Sequence, residues 1–375
     1  MPRPRHVALL IETSNAYARG LLRGVMAYVQ AKGPWALRLS EHGRGEISPR
    51  ELADWRGHGV IARVENPRIA DVVRASGLPA VDLSAARLLP QIPWVESDDA
   101  AVARLAAEHL LDRGLQHFGF CGDHRFNWSK WRQQHFQERL AQAGFKCSVG
   151  PSPRRGGDEL AAWLRDLPKP AGILACYDIR GREVLDACRR AAIAVPDEIA
   201  VIGVDDDELL CELSDPPLSS VVLDTRRTGW VAAELLAAMM AGRSVRPEAR
   251  LILPLGVTTR RSTDTLAIED ADIRAAVRFI RDHACEGIGV ADVVTRVPLS
   301  RRVLEARFEK LLGRTPHAEI LRVRLERAKA LLARDEWSLE TIARHTGFKH
   351  GEYLSAVFKR EFGETPGRFR QRRRR

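Results

Sequence analysis

Six residue pairs near the C-terminus match at an offset of 50 positions: Leu304 with Leu354, Phe308 with Phe358, Lys310 with Arg360, Gly313 with Gly363, Thr315 with Thr365 and Pro316 with Pro366. A period of that length marks one supersecondary unit used twice. In the first copy Val290, Val293, Val294 and Val297 share a helical face, Pro298 to Ser300 break and cap, and Leu304, Phe308 and Leu311 give a second apolar stripe. In the second copy Leu339, Ile342 and Ala343 form the first face, Gly347 permits the turn, and Leu354, Val357 and Phe358 form the second. Each copy therefore reads as a helix-turn-helix. Between them Thr315-Pro316 opens a longer helix with Leu321, Leu325, Ala328 and Leu332 on one side, able to hold the two units at fixed separation.

Two helices about 34 Å apart reach successive major grooves of a duplex, so one chain with this repeat can read a bipartite site on double-stranded DNA. The second apolar stripe of each unit must face the core. The residues left facing outward near the start of that helix are Arg301, Arg302, Glu305 and Ala306 in the first unit, and Lys349, His350, Gly351, Glu352, Ser355 and Ala356 in the second. Arg grips guanine bidentately, Glu accepts from cytosine and Ala meets a thymine methyl. Arg322, Arg324, Arg344, Lys349, Lys359 and Arg368 suit phosphates. Charge agrees with this reading. Residues 268–375 hold 24 Lys and Arg against 16 Asp and Glu, a net of +8 out of +10 for the chain. A solvated basic face with a basic tail, Arg372 to Arg375, would give the same sum.

The stretch from Ile342 through Thr346-Gly-Phe348, Tyr353, Phe358, Gly363 and Pro366 to Arg370 resembles the signature of AraC-type transcriptional regulators, with Leu354 where that family usually has Phe. The resemblance covers about the last 105 residues. It implies a seven-helix domain with two recognition helices in adjacent major grooves, and recruitment of RNA polymerase.

The first 260 residues alternate short β-rich runs (Val7–Ile11, Ala36–Ser40, Gly59–Val64, Ala80–Leu83, Phe118–Cys121, Gly172–Cys176, Ile199–Val204, Ser220–Leu223, Leu251–Leu253) with helical patterns such as Ala100–Arg113. That is the mark of parallel α/β sheets, and its length calls for two lobes. Taken together these segments resemble the periplasmic-binding-protein-like sensor fold, so the expected fold class is an α/β two-lobed sensor of that kind followed by an all-α double helix-turn-helix domain. The expected boundaries are 1–262 for the sensor, 263–270 for a linker and 271–375 for the DNA-binding domain.

Ligands of such sheets bind beyond the carboxyl ends of the strands. Polar residues stand there: Glu12, Asp82, Asp178 and Asp205. Carboxylates accept from paired hydroxyls, Arg132 donates to them, and Trp131 or Trp128 beside it can cover the apolar face of a sugar ring. Each carboxylate taken singly also fits a cap or a turn. Asn15-Ala-Tyr17, Glu96-Ser-Asp98-Asp99, Gly172 to Asp178, Val201 to Leu209 and Leu218 to Val221 resemble LacI-type sensors, and joined to an AraC-type domain they resemble the family of xylose operon regulators. In LacI-type sensors the positions matching Arg132 and Asp205 bind sugar hydroxyls, and those matching Asp82 and Tyr177 lie at the cleft. With Tyr17, these complete the candidate sugar site. Tyr177 and Asp99 stand where the wider family often has Asn, which leaves the sugar's identity open.

The resemblance implies a sugar-responsive activator of pentose genes, with D-xylose as effector and a homodimer as the working form. No apolar run approaches the roughly 20 residues of a membrane span, and Val7–Ile11 is too short for a secretion signal, so the expected location is the cytoplasm. The six cysteines form no C-x-x-C pair and read as reduced core residues; neither a metal nor a cofactor is expected. An α/β sugar-acting enzyme is the rival class, weakened by the lack of phosphate-loop, dinucleotide, nucleophile-elbow and H-E-x-x-H motifs. A third is an architectural DNA binder with a degenerate sensor.

Overall fold

The computed structural model describes residues 4–40, 55–153, 158–264, 270–334 and 337–374. The chain divides into two compact units, residues 1–267 and 268–375.

In the first unit, continuous apolar runs make central strands buried on both faces, as sheets covered by helices on both sides require. The lobe-one strands are β1 (Arg5–Leu10), β2 (Trp35–Leu39), β3 (Gly59–Ala62), β4 (Ala80–Asp82) and β5 (Trp94–Ser97). The lobe-two strands are β6 (His117–Cys121), β7 (Cys147–Val149), β8 (Ala171–Ala175), β9 (Ile199–Val204) and β10 (Ser219–Val222). Two late strands, β11 (Ala249–Ile252) and β12 (Gly256–Thr258), return one to each sheet. The orders are β11-β5-β4-β3-β1-β2 and β12-β10-β9-β8-β6-β7. Every pairing is parallel except β12 with β10. The chain thus crosses between lobes after β5, after β10 and between β11 and β12. Three strands, β5, β7 and β12, escaped the sequence reading. They are three or four residues long, and the sequences Trp-Val-Glu-Ser, Cys-Ser-Val and Gly-Val-Thr carry too few apolar residues to stand out.

Helix α1 (Ala16–Lys32), capped by Asn15 Oδ1 accepting from the Ala18 N–H at 2.8 Å, packs on α8 (Thr225–Met240) in lobe one. The packing requires glycine. A Cβ at Gly229 would fall 2.0 Å from the Leu21 carbonyl oxygen, and one at Gly24 would fall 2.1 Å from that of Arg226. The remaining helices of this unit are α2 (Pro67–Ser76), α3 (Asp99–Leu111), α4 (Asn127–Gln142), α5 (Asp158–Asp166), α6 (Asp178–Arg190) and α7 (Glu208–Glu212). Four cysteines (121, 176, 188 and 211) are buried, whereas Cys147 and Cys285 are half-buried, and all six are free thiols.

The unit closes with a short 3-10 turn, Arg261–Thr263. Thr263, assigned to the linker from sequence, is fully buried: its hydroxyl donates to Ser219 Oγ at 2.7 Å and meets His109 Nε2 at 2.8 Å. It belongs to the sensor. Linker residues 265–269 and the tail residue Arg375 lie outside the described residues.

The second unit holds α9 (Ala271–His283), α10 (Val290–Val294), α11 (Arg301–Leu312), α12 (Pro316–Arg334), α13 (Leu339–His345), α14 (Gly351–Phe362) and α15 (Pro366–Arg374). The repeat gains its physical meaning here. Leu304, Leu354, Phe308 and Phe358 are all fully buried. Gly313 and Gly363 end α11 and α14 at φ of 62° and 73°, a left-handed cap that a residue with Cβ adopts at a cost. Thr315 and Thr365 then cap the next helix, each hydroxyl accepting a backbone N–H three residues on. Glu319 on α12 is completely buried among Arg314 (2.6 Å), Arg322 (2.8 Å) and Arg281 (3.7 Å). Burial pushes its pKa up, but Arg322 first, then Arg314 and Arg281, overcome that and hold it down at about 2.

Candidate ligand cleft and nucleic-acid interface

A cavity of about 680 Å³ lies between the lobes of the first unit. Its walls follow the carboxyl ends of successive strands: Ser14 to Tyr17 after β1, Arg63, Glu65 and Asn66 after β3, Asp99 after β5, Arg125, Phe126 and Trp128 after β6, Tyr177 to Ile179 after β8, and Asp205 after β9. Glu96 and Ser97 join them from the end of β5 itself.

Of the eight candidates, Arg132, Asp205, Tyr177, Asp178 and Tyr17 line this cavity. Arg132, on α4, is buried; its Nε donates to Asp99 Oδ1 at 2.7 Å and its Nη1 to the Cys176 carbonyl at 2.6 Å. Burial opposes its charge, and Asp99 followed by Asp205 more than offsets this, so its pKa is raised. Asp178 opens α6 fully enclosed. Its Oδ1 accepts from Ser220 Oγ at 2.6 Å and its Oδ2 from the Asp207 N–H at 2.8 Å. Burial, then the nearby Asp205, pushes its pKa well above the ordinary carboxylate range. Tyr17 packs against the apolar cores of both lobes, and burial raises its hydroxyl pKa.

The other three candidates stand off the wall. Glu12 is buried in an ion pair with Arg63 and accepts from Asn15 Nδ2 at 3.0 Å. Asp82 turns inward, with Oδ1 accepting the N–H groups of Val64 (3.0 Å) and Ser84 (2.8 Å), so it fixes two loops; burial lifts its pKa to about 8. Trp131 stacks under Arg87, whose Cζ lies 4.3 Å from the ring centroid. The aromatic at the cavity is instead Trp128, with Arg132 Cζ 4.9 Å from its centroid and Tyr177 edge-on at 5.5 Å. Four residues apart on one helix, Trp128 and Arg132 share a face, and that spacing was the available signal.

Of the lobe-one wall, sequence reasoning named only Tyr17. Arg63 donates to Glu12 and to Glu65 (2.6 Å), and its buried Nε has no hydrogen-bond partner among the described residues. Glu96 binds Arg87 through Oε1, and its buried Oε2 has none. Both residues line the cavity, and a guanidinium beside a carboxylate on one wall suits a ligand rich in hydroxyls. Among the described residues no cluster of His, Cys, Asp and Glu could hold a metal, and no helix is long and apolar enough to cross a membrane.

In the second unit, α11 and α14 expose Arg301, Arg302, Ala306, Glu352 and Ala356, with Lys349 and His350 just ahead of α14. Glu305 and Ser355 are half-buried, and Glu305 accepts from Arg301 Nε at 2.9 Å. Gly351 is not outward: it is buried, its N–H donates to Glu340 Oε2 at 2.7 Å, and a Cβ there would fall 2.8 Å from that oxygen. It lets α13 and α14 approach. Two arginines assigned to phosphates also work internally. Arg322 pairs with Glu319, and Arg324 donates to the carbonyls of Ala284 and Ile288, both at 2.7 Å. Val303 and Tyr353, equivalent in the repeat, are exposed on the two reading helices at 38% and 50%.

The full chain aligns at 32% identity with the xylose operon regulatory protein of Escherichia coli K12, covering 98% of this chain and 97% of that one. The chain belongs to the family of xylose operon regulatory proteins. The Haemophilus influenzae member is 31% identical over 97% of both chains. Family models agree region by region: a XylR N-terminal domain over residues 6–100, a periplasmic binding protein-like domain over 107–263 and a helix-turn-helix domain over 293–372. A solved structure described as the xylose-binding transcription activator xylR superposes with a TM-score of 0.72 at 31% identity, covering 99% of this chain and 98% of that one. As a member of this family the chain is a sugar-responsive, DNA-binding transcription regulator, and the enzyme reading falls away.

Proposed function

We propose that D-xylose is the effector and that the 680 Å³ cleft is where it binds. The observation that carries this reading is the polarity of the two walls. Lobe one offers the Arg63 guanidinium and the Glu96 carboxylate; lobe two offers Arg132, Asp205 and the aromatic wall of Trp128 stacked on Phe126. A pentose has hydroxyl donors and acceptors for the first four and an apolar ring face for the last. The relatives named for xylose support the choice among pentoses.

In this reading the chain works in the cytoplasm as a homodimer, with a linker within residues 264–270 joining sensor to DNA-binding domain. It binds a bipartite operator through Arg301, Arg302, Glu305, Ala306, Lys349, His350, Glu352, Ser355 and Ala356, and activates transcription by contact with RNA polymerase. Sugar alters DNA affinity only through its differential affinity for two arrangements of the protein, and a coupling of about 1–3 kcal/mol changes that affinity roughly 5–150-fold.

Titration calorimetry of the full chain against D-xylose, L-arabinose and D-ribose tests the sugar, with tightest binding expected for D-xylose. Equal affinities for all three, or no heat with any, would refute it.

A further inference from the structure

The last segment of the sensor is fastened to the strand that supplies Asp205 to the cleft. Asp205 and Asp206 follow β9 with φ of 112° and 51°, two successive non-glycine residues in the left-handed region. Such backbone persists only where surrounding contacts over-determine it, and it concentrates at functional sites. The contacts are present. The Asp205 N–H donates to the Val221 carbonyl at 3.0 Å, and the Asp206 N–H donates to Ser220 Oγ at 3.0 Å. The Asp206 side chain points away from the ligand wall and toward the chain's exit. Its Oδ2 accepts from Thr258 Oγ1 at 3.0 Å and its Oδ1 from Arg260 Nη1 at 2.7 Å.

Arg260 is held as firmly. Its side chain is 6% exposed, Nη1 also donates to the Leu218 carbonyl at 2.9 Å, and Nε donates to Glu212 at 2.9 Å. Ser219 clamps its main chain, accepting the Arg260 N–H at 2.7 Å and donating to the Arg260 carbonyl at 2.9 Å. Ser262 and Thr263 extend the clamp to Val201 and Ser219, after which the chain continues toward α9. One short run of directional contacts therefore joins a cleft residue to the final residues before the DNA-binding unit.

We propose that the Asp206–Arg260 ion pair is a positioning element that transmits occupancy of the cleft to this exit segment. It rests on the reading of the cleft as a sugar site. A ligand bonded to Asp205 biases the 205–206 backbone; Asp206 cannot change its aim without Arg260, and Arg260 cannot move without the clamp. Neutralising the pair leaves the cleft wall and the reading helices as they are and breaks the connection between them.

The test uses the full chain, D-xylose and a DNA fragment that the wild type selects from a random-sequence pool. Arg260→Gln and Asp206→Asn are each expected to bind D-xylose, and to bind DNA without sugar, within about threefold of wild type. The ratio of DNA affinities with and without sugar, expected to be roughly 5–150-fold in the wild type, should fall to within about twofold of unity. A wild-type ratio in either folded variant overturns the relay. Should both melt too low to assay, Thr258→Val loosens Asp206 without stranding a charge. A halved ratio then supports the relay, and an unchanged one refutes it. If the wild type itself binds no D-xylose, the functional reading has failed and takes the relay with it.

Discussion

Truncating Arg132 will strike stability and sugar binding together, and a second substitution will separate them. The guanidinium is 5% exposed and bonded to Asp99 Oδ1 at 2.7 Å and the Cys176 carbonyl at 2.6 Å. Arg132→Ala strands the Asp99 carboxylate, itself 7% exposed, without its counter-charge. Removing one partner of a buried ion pair costs about 3–5 kcal/mol, which in a domain of this size lowers the melting temperature by roughly 6–20 °C. Replacing both charges with apolar groups of similar volume is different, because the desolvation penalty disappears with the attraction. Arg132→Met combined with Asp99→Leu should therefore recover most of the lost stability. It should not recover binding, since the donor to the ligand is gone. Thermal unfolding and D-xylose calorimetry on wild type, single and double variants measure both quantities. A double variant no more stable than Arg132→Ala would refute the ion-pair reasoning, and one that binds D-xylose like the wild type would refute the placement of the site.

Asp82, lifted by burial to about 8 from 3.8, keeps a proton in the folded state that the unfolded chain releases in mild acid. Wild-type stability should therefore fall as pH rises from about 4 to about 8, by as much as roughly 5 kcal/mol; Asp82→Asn should flatten the slope in urea melts across that range. Glu319 has the opposite sign: held down at about 2, it stabilises above its unfolded value of 4.5, and the benefit is lost as pH falls through that interval. Glu319→Gln should cost about 3 kcal/mol at pH 7 and make the acid limb shallower. Gly229→Ala sets a Cβ 2.0 Å from a backbone oxygen and should destabilise by about 2 kcal/mol or more, whereas Gly367→Ala, with nothing within 4 Å, should be neutral in the same chemical denaturation. Arg302→Ala should weaken specific DNA binding by about 1–3 kcal/mol in a gel-shift titration without moving the melting temperature. Arg324→Ala should do the reverse, since the carbonyls of Ala284 and Ile288 depend on that side chain.

The double helix-turn-helix was legible because each repeated pair has one physical job. Leu304 and Phe308, with their partners fifty residues on, fill the core; the glycines close helices and the Thr-Pro pairs open the next. Gly351 misled because a glycine near a helix start is compatible with both an exposed turn and a close helix contact. Only the position of Glu340, eleven residues earlier, decides between them. Arg322 and Arg324 misled for a related reason. An arginine on a basic helix suits phosphate until a buried carboxylate or a pair of carbonyls meets it, and those partners come from the segment after α9 and from the start of α12.

The cleft shows the same limit more sharply. That ligand-facing residues follow the carboxyl ends of the strands could be read from the strand pattern alone. Which residue after a strand faces the ligand could not, because one position of phase turns a side chain from the cavity to the interior. Asp82 ends β4 and bends back to hold Val64 and Ser84; Asp205, one residue past β9, faces the cavity because its backbone takes a left-handed turn that no sequence rule assigns to Asp. Glu12 was a sound candidate until Arg63, fifty-one residues away, occupied it. That pairing leaves Arg63, and not Glu12, lining the cavity. Lobe one therefore presents a guanidinium at the cavity where the strand-end carboxylates predicted an acceptor, and Glu96, held by Arg87 through Oε1, stands on the same wall at the end of β5, a strand too short and polar to be seen in advance.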